Sequence, residues 1–162
     1  MFALPVAALA AEDGAPYVPM SQLAPADEYF GHAKLSVLGI ANHIKDAGAR
    51  LDEGANPAKV FDGPLAFVED SIRDWEHQFP NDPWIARDLY GLELAYLRAQ
   101  SPRGVSLAHH AADWLVADYP DSPLCGDAQV ALGYGPDPRD SAGSTADAWT
   151  RFAALRAPLP PH

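Results

Sequence analysis

A six-residue turn occurs twice in this sequence and restricts the fold more than any other feature. It reads Phe-Pro-Asn-Asp-Pro-Trp at residues 79–84 and Tyr-Pro-Asp-Ser-Pro-Leu at residues 119–124. In each copy the first proline ends the upstream helix, because proline lacks an N–H group and clashes with the preceding turn. The residue before the second proline, Asp82 or Ser122, is a preferred helix N-cap, and proline suits the first helical position. The sequence therefore predicts two helical hairpins with one turn chemistry.

Apolar residues recur at intervals of three and four along most of the chain, which is the period of amphipathic helices. The predicted helices cover residues 27–53, 64–79, 83–100, 105–119, 123–132 and 145–156. No run of alternating β-branched and aromatic residues is bounded by turns, so we expect no strand. The predicted fold class is all-α, with about six helices in stacked helical hairpins and an extended N-terminal arm.

The third predicted helix is apolar on two sides. Leu92 lies on one face and Leu94 on another. A helix with two apolar faces is covered on both sides by its neighbours. We expect this helix to lie between the second and the fourth.

The second copy of the turn carries a family resemblance. The segment Tyr-Pro-Asp-Ser-Pro at residues 119–123 follows an amphipathic helix and precedes Ala128 and Gly133. It resembles the hairpin turns of bacterial periplasmic tetratricopeptide-type repeat proteins, such as Tol-Pal coordinator proteins and outer-membrane-assembly lipoproteins. The resemblance covers about residues 64–134, although the two turns lie forty positions apart (79 to 119) and the family repeat has about 34 residues. It implies protein–protein binding in a concave groove and supplies no catalytic residues.

The chain divides into three parts by composition. Residues 1–26 combine an apolar start with an extended arm, residues 27–157 form the helical-hairpin domain, and residues 158–162 form a Pro-rich tail. The apolar run at residues 1–10 ends in Ala-Leu-Ala, which resembles the end of a secretory signal peptide. We therefore expect a periplasmic or secreted protein, with a cytoplasmic location as the alternative.

The arm at residues 11–26 contains three prolines, which exclude a helix, yet it carries several apolar side chains. An extended segment of this kind gains more by docking on a surface than by staying in water. Trp114 falls on the side of its helix opposite the core stripe, so it is either a second core contact or an exposed anchor. The candidate partner-binding residues are Tyr17, Val18, Met20, Leu23 and Trp114.

The charge balance excludes some partners. With 22 acidic and 11 basic residues, the formal net charge is -11. Such a surface repels nucleic-acid phosphates and anionic lipid headgroups, and the basic residues do not form a clustered stripe. No stretch approaches the ~20 apolar residues of a membrane span. We expect a protein partner, no nucleic acid and no membrane span, and peripheral membrane association stays open.

The residue types that usually act in catalysis or metal binding form no recognisable motif in this sequence. Cys125 is the only cysteine, so no disulfide or thiolate cluster can form within the chain. His32 and His43 would share one side of a helix but lie about 16 Å apart along it, too far to bind one ion. The adjacent His109 and His110 point in different directions. We expect no catalytic residue, no metal ligand and no cofactor, and the protein is predicted not to be an enzyme.

The leading functional hypothesis is a protein–protein interaction or scaffold subunit of a larger assembly, in the cell envelope, that binds through its N-terminal arm and one helical face. The alternative is a small-ligand or metal-binding helical domain that uses its histidines.

Overall fold

The computed structural model describes residues 18–133, and this part of the chain is mostly helical. A 3-10 turn at Met20–Gln22 precedes two short antiparallel strands, β1 (Tyr29–Phe30) and β2 (Leu35–Ser36). The helices are α1 (Val37–Asp52), α2 (Pro57–Val60), α3 (Ala66–Gln78), α4 (Pro83–Arg98), α5 (Pro102–Asp118) and α6 (Leu124–Ala131). The predicted mostly helical class is confirmed in this broad form.

The first helix begins ten residues later than predicted, at Val37 instead of residue 27. The prediction of no strand is also wrong, because β1 and β2 form a hairpin in the place of the expected first turns. Gly31 in the hairpin turn has φ +67°, and an added Cβ would lie 2.6 Å from Ser71 Oγ. Only glycine adopts this conformation so close to a neighbouring helix. Ser36 then caps α1 by accepting the Gly39 N–H at 3.1 Å.

The second predicted helix starts earlier and contains an irregular turn. Asn56 caps α2 by accepting the Ala58 N–H at 3.0 Å, and a π-helical turn at Phe61–Leu65 joins α2 to α3. Pro64 lies inside this turn, where the prediction placed the first residue of a regular helix. A π-helical turn changes the hydrogen-bond pattern locally, so a residue without an N–H group fits in it.

Helix α4 lies at the centre of the described chain. Leu92 and Leu94 are both fully buried, as are most residues between Ile85 and Tyr96. The helix packs most extensively against α5 and α1 and less against α3, so α1 takes the place that the sequence assigned to the second helix. Helices α4 and α5 come close at Gly104, where an added Cβ would lie 2.6 Å from the Tyr96 carbonyl oxygen.

The two repeated turns have the same backbone conformation. Phe79 has φ -134° and ψ 65°, and Tyr119 has φ -128° and ψ 52°. Each aromatic residue donates its N–H to the carbonyl four residues earlier, at 2.7 and 2.9 Å. Each also accepts the N–H of the residue three positions later, at 3.1 and 2.9 Å. The shared sequence thus produces the same local structure twice.

Several predictions fall on other parts of the chain. The apolar start at residues 1–10, the predicted helix at residues 145–156 and the tail at residues 158–162 lie outside the described residues. Between residues 18 and 133, none of the helices has the length and apolar character that crossing a membrane requires.

Candidate partner-binding surface

Residues 18–26, the described part of the segment predicted as an extended arm and here called the arm, are attached to the first repeated turn through Asp82. This side chain is almost fully buried, and Oδ1 accepts the Trp84 N–H at 3.0 Å as an N-cap. Its Oδ2 accepts the Ala24 N–H of the arm at 2.9 Å and the Trp75 indole N–H at 3.2 Å. One carboxylate therefore joins the arm, α3 and α4, and these charged hydrogen bonds compensate for its burial.

The second repeated turn lacks these connections. There the helix begins one residue later, so that Pro123 and not Ser122 is the N-cap of α6. The Ser122 hydroxyl accepts the Leu124 N–H at 3.3 Å, and this single oxygen replaces the two oxygens of Asp82. In the first turn, Asn81 adds a hydrogen bond to the Gln22 side chain at 3.3 Å. Asp82 has the second oxygen that binds the arm and Ser122 does not, so the arm is held at the first turn.

We expect Asp82→Ala to lower the free energy of unfolding by about 2 kcal/mol. The variant loses a helix cap and leaves the buried Trp75 indole N–H without an acceptor. Asp82→Ser copies the second turn, so it should keep the cap and lose only about 1 kcal/mol. Urea unfolding followed by circular dichroism measures both values. If the alanine variant is as stable as the parent, Asp82 does not connect these elements.

Two clefts lie on either side of the arm, and Leu23 lines both. The first, which we name the Met20 cleft, has a volume of about 460 Å³. Its lining residues are Met20, Leu23, Ala24, Pro25, Ala26, Val37, Leu38, Asp82 and Trp84. The Asp82 oxygens already accept hydrogen bonds, so the cleft offers mainly apolar surface.

The second cleft, which we name the Tyr119 cleft, has a volume of about 380 Å³. It lies between the start of the described arm and the second repeated turn. Its lining residues are Val18, Leu23, Asn81, Pro83, Arg87, Asp118, Tyr119, Pro120, Asp121, Ser122, Pro123 and Leu124. This cleft thus combines apolar side chains with charged groups.

The most exposed large apolar side chains of the described residues lie at the Met20 cleft. Met20 is 81% exposed and Leu38 is 65% exposed. Among the large apolar side chains of the described residues, these two have the highest exposure, and both line this one cleft. Apolar side chains grouped at one surface are typical of interaction sites, whereas single exposed ones are common on any protein.

The structure brings three of the five sequence-predicted binding residues together. Val18 and Leu23 are half-buried and line the Tyr119 cleft, while Met20 lies at the neighbouring cleft. Tyr17 lies outside the described residues. Trp114 is elsewhere and is only 8% exposed, which makes it a core contact and not an exposed anchor.

Helix α3 covers Trp114. The indole N–H donates to Glu76 Oε2 at 3.0 Å, and the Arg73 guanidinium lies 4.4 Å from the ring centroid. Burial raises the pKa of the Glu76 carboxyl above its usual value. Glu76 is therefore only partly exposed to solvent, because the Trp114 indole of α5 packs against it.

Sequence reasoning missed two residues of the surface as binding candidates, Leu38 and Trp84. Leu38 directly follows the core residue Val37 and lies outside the three-and-four stripe of its helix. An apolar residue off the stripe is the signal that could have identified it. Trp84 is half-buried beneath Arg87, whose guanidinium lies 4.4 Å from its ring centroid.

Two aspartates of α3 hold the hairpin of β1 and β2 in place. Asp70 accepts the His32 N–H at 2.7 Å, and Asp74 accepts the Gly31 N–H at 2.7 Å. These backbone hydrogen bonds lower the pKa of both carboxyls. Both groups are therefore ionised acceptors at neutral pH, whereas a general acid needs a raised pKa.

Three of the described histidines contact three different groups. His32 bonds to Asp70, His43 bonds to the carbonyl of Gly39 in its own helix, and His110 lies 3.3 Å from the Arg73 guanidinium. Between residues 18 and 133, no three histidine, cysteine, aspartate or glutamate side chains are grouped as a metal site would require.

The chain was compared with protein-family models, curated proteins and solved structures, and none of them matches it.

Proposed function

We propose that this protein is an interaction or scaffold subunit of a larger assembly and that it binds a protein partner through the arm and the two clefts beside it. One observation carries the proposal: Met20 and Leu38, at 81% and 65% exposure, line the same cleft. Burying large apolar side chains of this kind provides much of the free energy of association at protein interfaces.

The attachment of the arm supports a preformed binding surface. Hydrogen bonds from Ala24 to Asp82 and from Asn81 to Gln22 fix the arm on the helical domain. A surface ordered before binding loses less conformational entropy when the partner arrives. The proposed partner therefore meets a fixed pair of clefts.

The location and family relationship belong to the same proposal. We place the assembly in the cell envelope because residues 1–10 end in the Ala-Leu-Ala pattern of a signal peptide. The matching hydrogen bonds of the two repeated turns support a relationship to periplasmic tetratricopeptide-type repeats. The compartment of the bound partner tests the location.

Photo-crosslinking in the native source tests the proposed surface. A photoreactive phenylalanine analogue at position 20 or 38 should give an adduct with one protein, and the same analogue at position 67 should not. Phe67 is the matched control because it is 50% exposed and lines neither cleft.

The partner protein identified by crosslinking should, when purified on its own, bind the parent chain directly. The double variant Met20→Asp with Leu38→Asp should bind this partner at least about tenfold more weakly. Exposed substitutions of this kind change stability by only about 0.5 kcal/mol, so the variant stays folded. Equal affinity of parent and double variant, with unchanged circular dichroism, would refute the proposed surface.

A further inference from the structure

The end of α5 at the Tyr119 cleft carries negative charge without a basic residue of its own. Helix α5 ends at Asp118, its last turn contains no basic residue, and Asp121 follows in the turn. The C-terminus of a helix already has a partial negative charge, so carboxylates there are unfavourable and cations are favourable. A cation supplied by a partner would offset this negative charge.

Neighbouring groups are affected by the same charge. Burial raises the pKa of the Tyr119 hydroxyl, and the nearby carboxylates of Glu76 and Asp118 raise it further. Burial also raises the pKa of Cys125, with a smaller contribution from Asp121. The carboxylates of Asp118 and Asp121 therefore also act on groups inside the domain.

Arg87 is the basic residue among the described residues that line the Tyr119 cleft, and it is engaged. Its guanidinium lies over the Trp84 ring, at 4.4 Å from the centroid. A cation–π contact of this kind holds the guanidinium at the aromatic face. Asp118 and Asp121 therefore outnumber the cleft's own cation.

The same cleft has room for an apolar side chain. Its volume is about 380 Å³, and Leu23, Tyr119 and Leu124 are among its lining residues. Lysine and arginine side chains place apolar stems on such surfaces and keep their charged ends near carboxylates and water. The chemistry of the cleft thus fits an apolar anchor with a cation beside it.

We propose that the Tyr119 cleft binds a partner segment in which a large apolar residue is flanked by lysine or arginine. This inference rests on the proposed function and names the class of its partner. A second copy of this chain, with formal net charge -11, is disfavoured by repulsion. The same repulsion disfavours acidic peptides and anionic lipid surfaces.

Synthetic peptides test the inference directly. Three fluorescein-labelled peptides of equal length share one central Leu-x-x-Phe anchor and differ only in flanking Lys, Ser or Glu residues. By fluorescence anisotropy, the Lys-flanked peptide should bind the full chain about tenfold more tightly than the Ser-flanked peptide at low ionic strength. Added NaCl should reduce this difference. The Glu-flanked peptide should bind most weakly.

Variants that replace aspartate with asparagine test which carboxylates cause the preference for the Lys-flanked peptide. Asp118→Asn combined with Asp121→Asn should remove the preference for Lys-flanked over Ser-flanked peptide. The matched control is Asp113→Asn, which changes an exposed residue of α5 outside the cleft and should keep the preference. All of these side chains are exposed, so the variants should fold like the parent.

The outcomes separate this inference from the proposed function. If all three peptides bind equally, if none binds, or if the Asn double variant keeps the preference, the basic-segment inference is wrong. If a native partner still binds and its binding still depends on Met20 and Leu38, the proposed interaction function remains supported. If that dependence is also absent, the interaction function is wrong as well.

Discussion

Replacing Leu94 with aspartate is expected to lower the free energy of unfolding by about 5 kcal/mol or more, which is enough to unfold many domains of this size. Leu94 is fully buried in α4, the helix that packs against both α1 and α5. The substitution removes the packing of a buried leucine and places a carboxylate where water cannot reach it. Urea and thermal unfolding followed by circular dichroism measure the loss.

The same substitution at an exposed position provides the control. Leu38 is 65% exposed in α1, so Leu38→Asp should change the free energy of unfolding by only about 0.5 kcal/mol. The difference between the two variants reports mainly the burial of Leu94, because the helix propensities of leucine and aspartate differ by less than about 1 kcal/mol. A Leu94→Asp protein that melts within about a degree or two of the parent would exclude this central position for α4.

The helices with strong local signals could be predicted from the sequence. Asp82 caps α4 and Pro83 occupies its first position, as predicted. The same kind of signal at Ser101 and Pro102 was missed, because α5 was predicted to begin at residue 105 and begins at Pro102. These caps and prolines act within a few residues, so their effect does not depend on the rest of the fold. The repeated turns at residues 79–84 and 119–124 adopt one conformation for the same reason.

The hairpin before α1 depends on distant contacts and could not be predicted in this way. Phe30 of β1 is fully buried and stacks on Trp75 of α3, with ring centroids 5.6 Å apart. Ser71 of α3 also donates a hydrogen bond to the Phe30 carbonyl at 3.0 Å. Tertiary packing of this kind overrides a local helical pattern. Gly31 was the local signal that argued against the helix.

The residue types of the proposed binding surface could be predicted from the sequence, but their positions could not. Met20 and Leu23 stood out as apolar residues in a proline-rich segment, and the structure places both beside clefts. Leu38 joins them only because the arm crosses the start of α1. The burial of Trp114 could not be predicted without the position of α3, where Glu76 and Arg73 cover the indole ring.

A buried carboxyl group in α4 gives the second large expected effect. Glu93 is fully buried, and neither of its carboxylate oxygens has a hydrogen-bond partner between residues 18 and 133. Burial raises its pKa from 4.5 to about 9, so the folded protein keeps this group protonated at neutral pH. Within the described residues, an ionised carboxylate in this position would have no hydrogen bond to compensate for its burial.

The pH dependence of stability follows from this shift. In the unfolded chain Glu93 has its ordinary pKa and ionises above about pH 4.5, whereas in the folded chain it keeps its proton until about pH 9. The unfolded state binds fewer protons throughout this interval, so the free energy of unfolding falls as the pH rises. Glu93 lowers the free energy of unfolding least below pH 4.5 and most above pH 9.

Glu93→Leu is therefore expected to raise the free energy of unfolding by about 3 kcal/mol at pH 7 and to remove most of the decline between pH 5 and 9. Urea unfolding at one-unit intervals of pH gives both quantities for parent and variant. Glu53→Leu changes an exposed glutamate and should leave the parent's pH dependence intact. If Glu93→Leu and the parent lose stability with the same slope from pH 5 to 9, Glu93 is already ionised in the folded protein. Burial of Glu93 would then not control how the stability of the protein depends on pH.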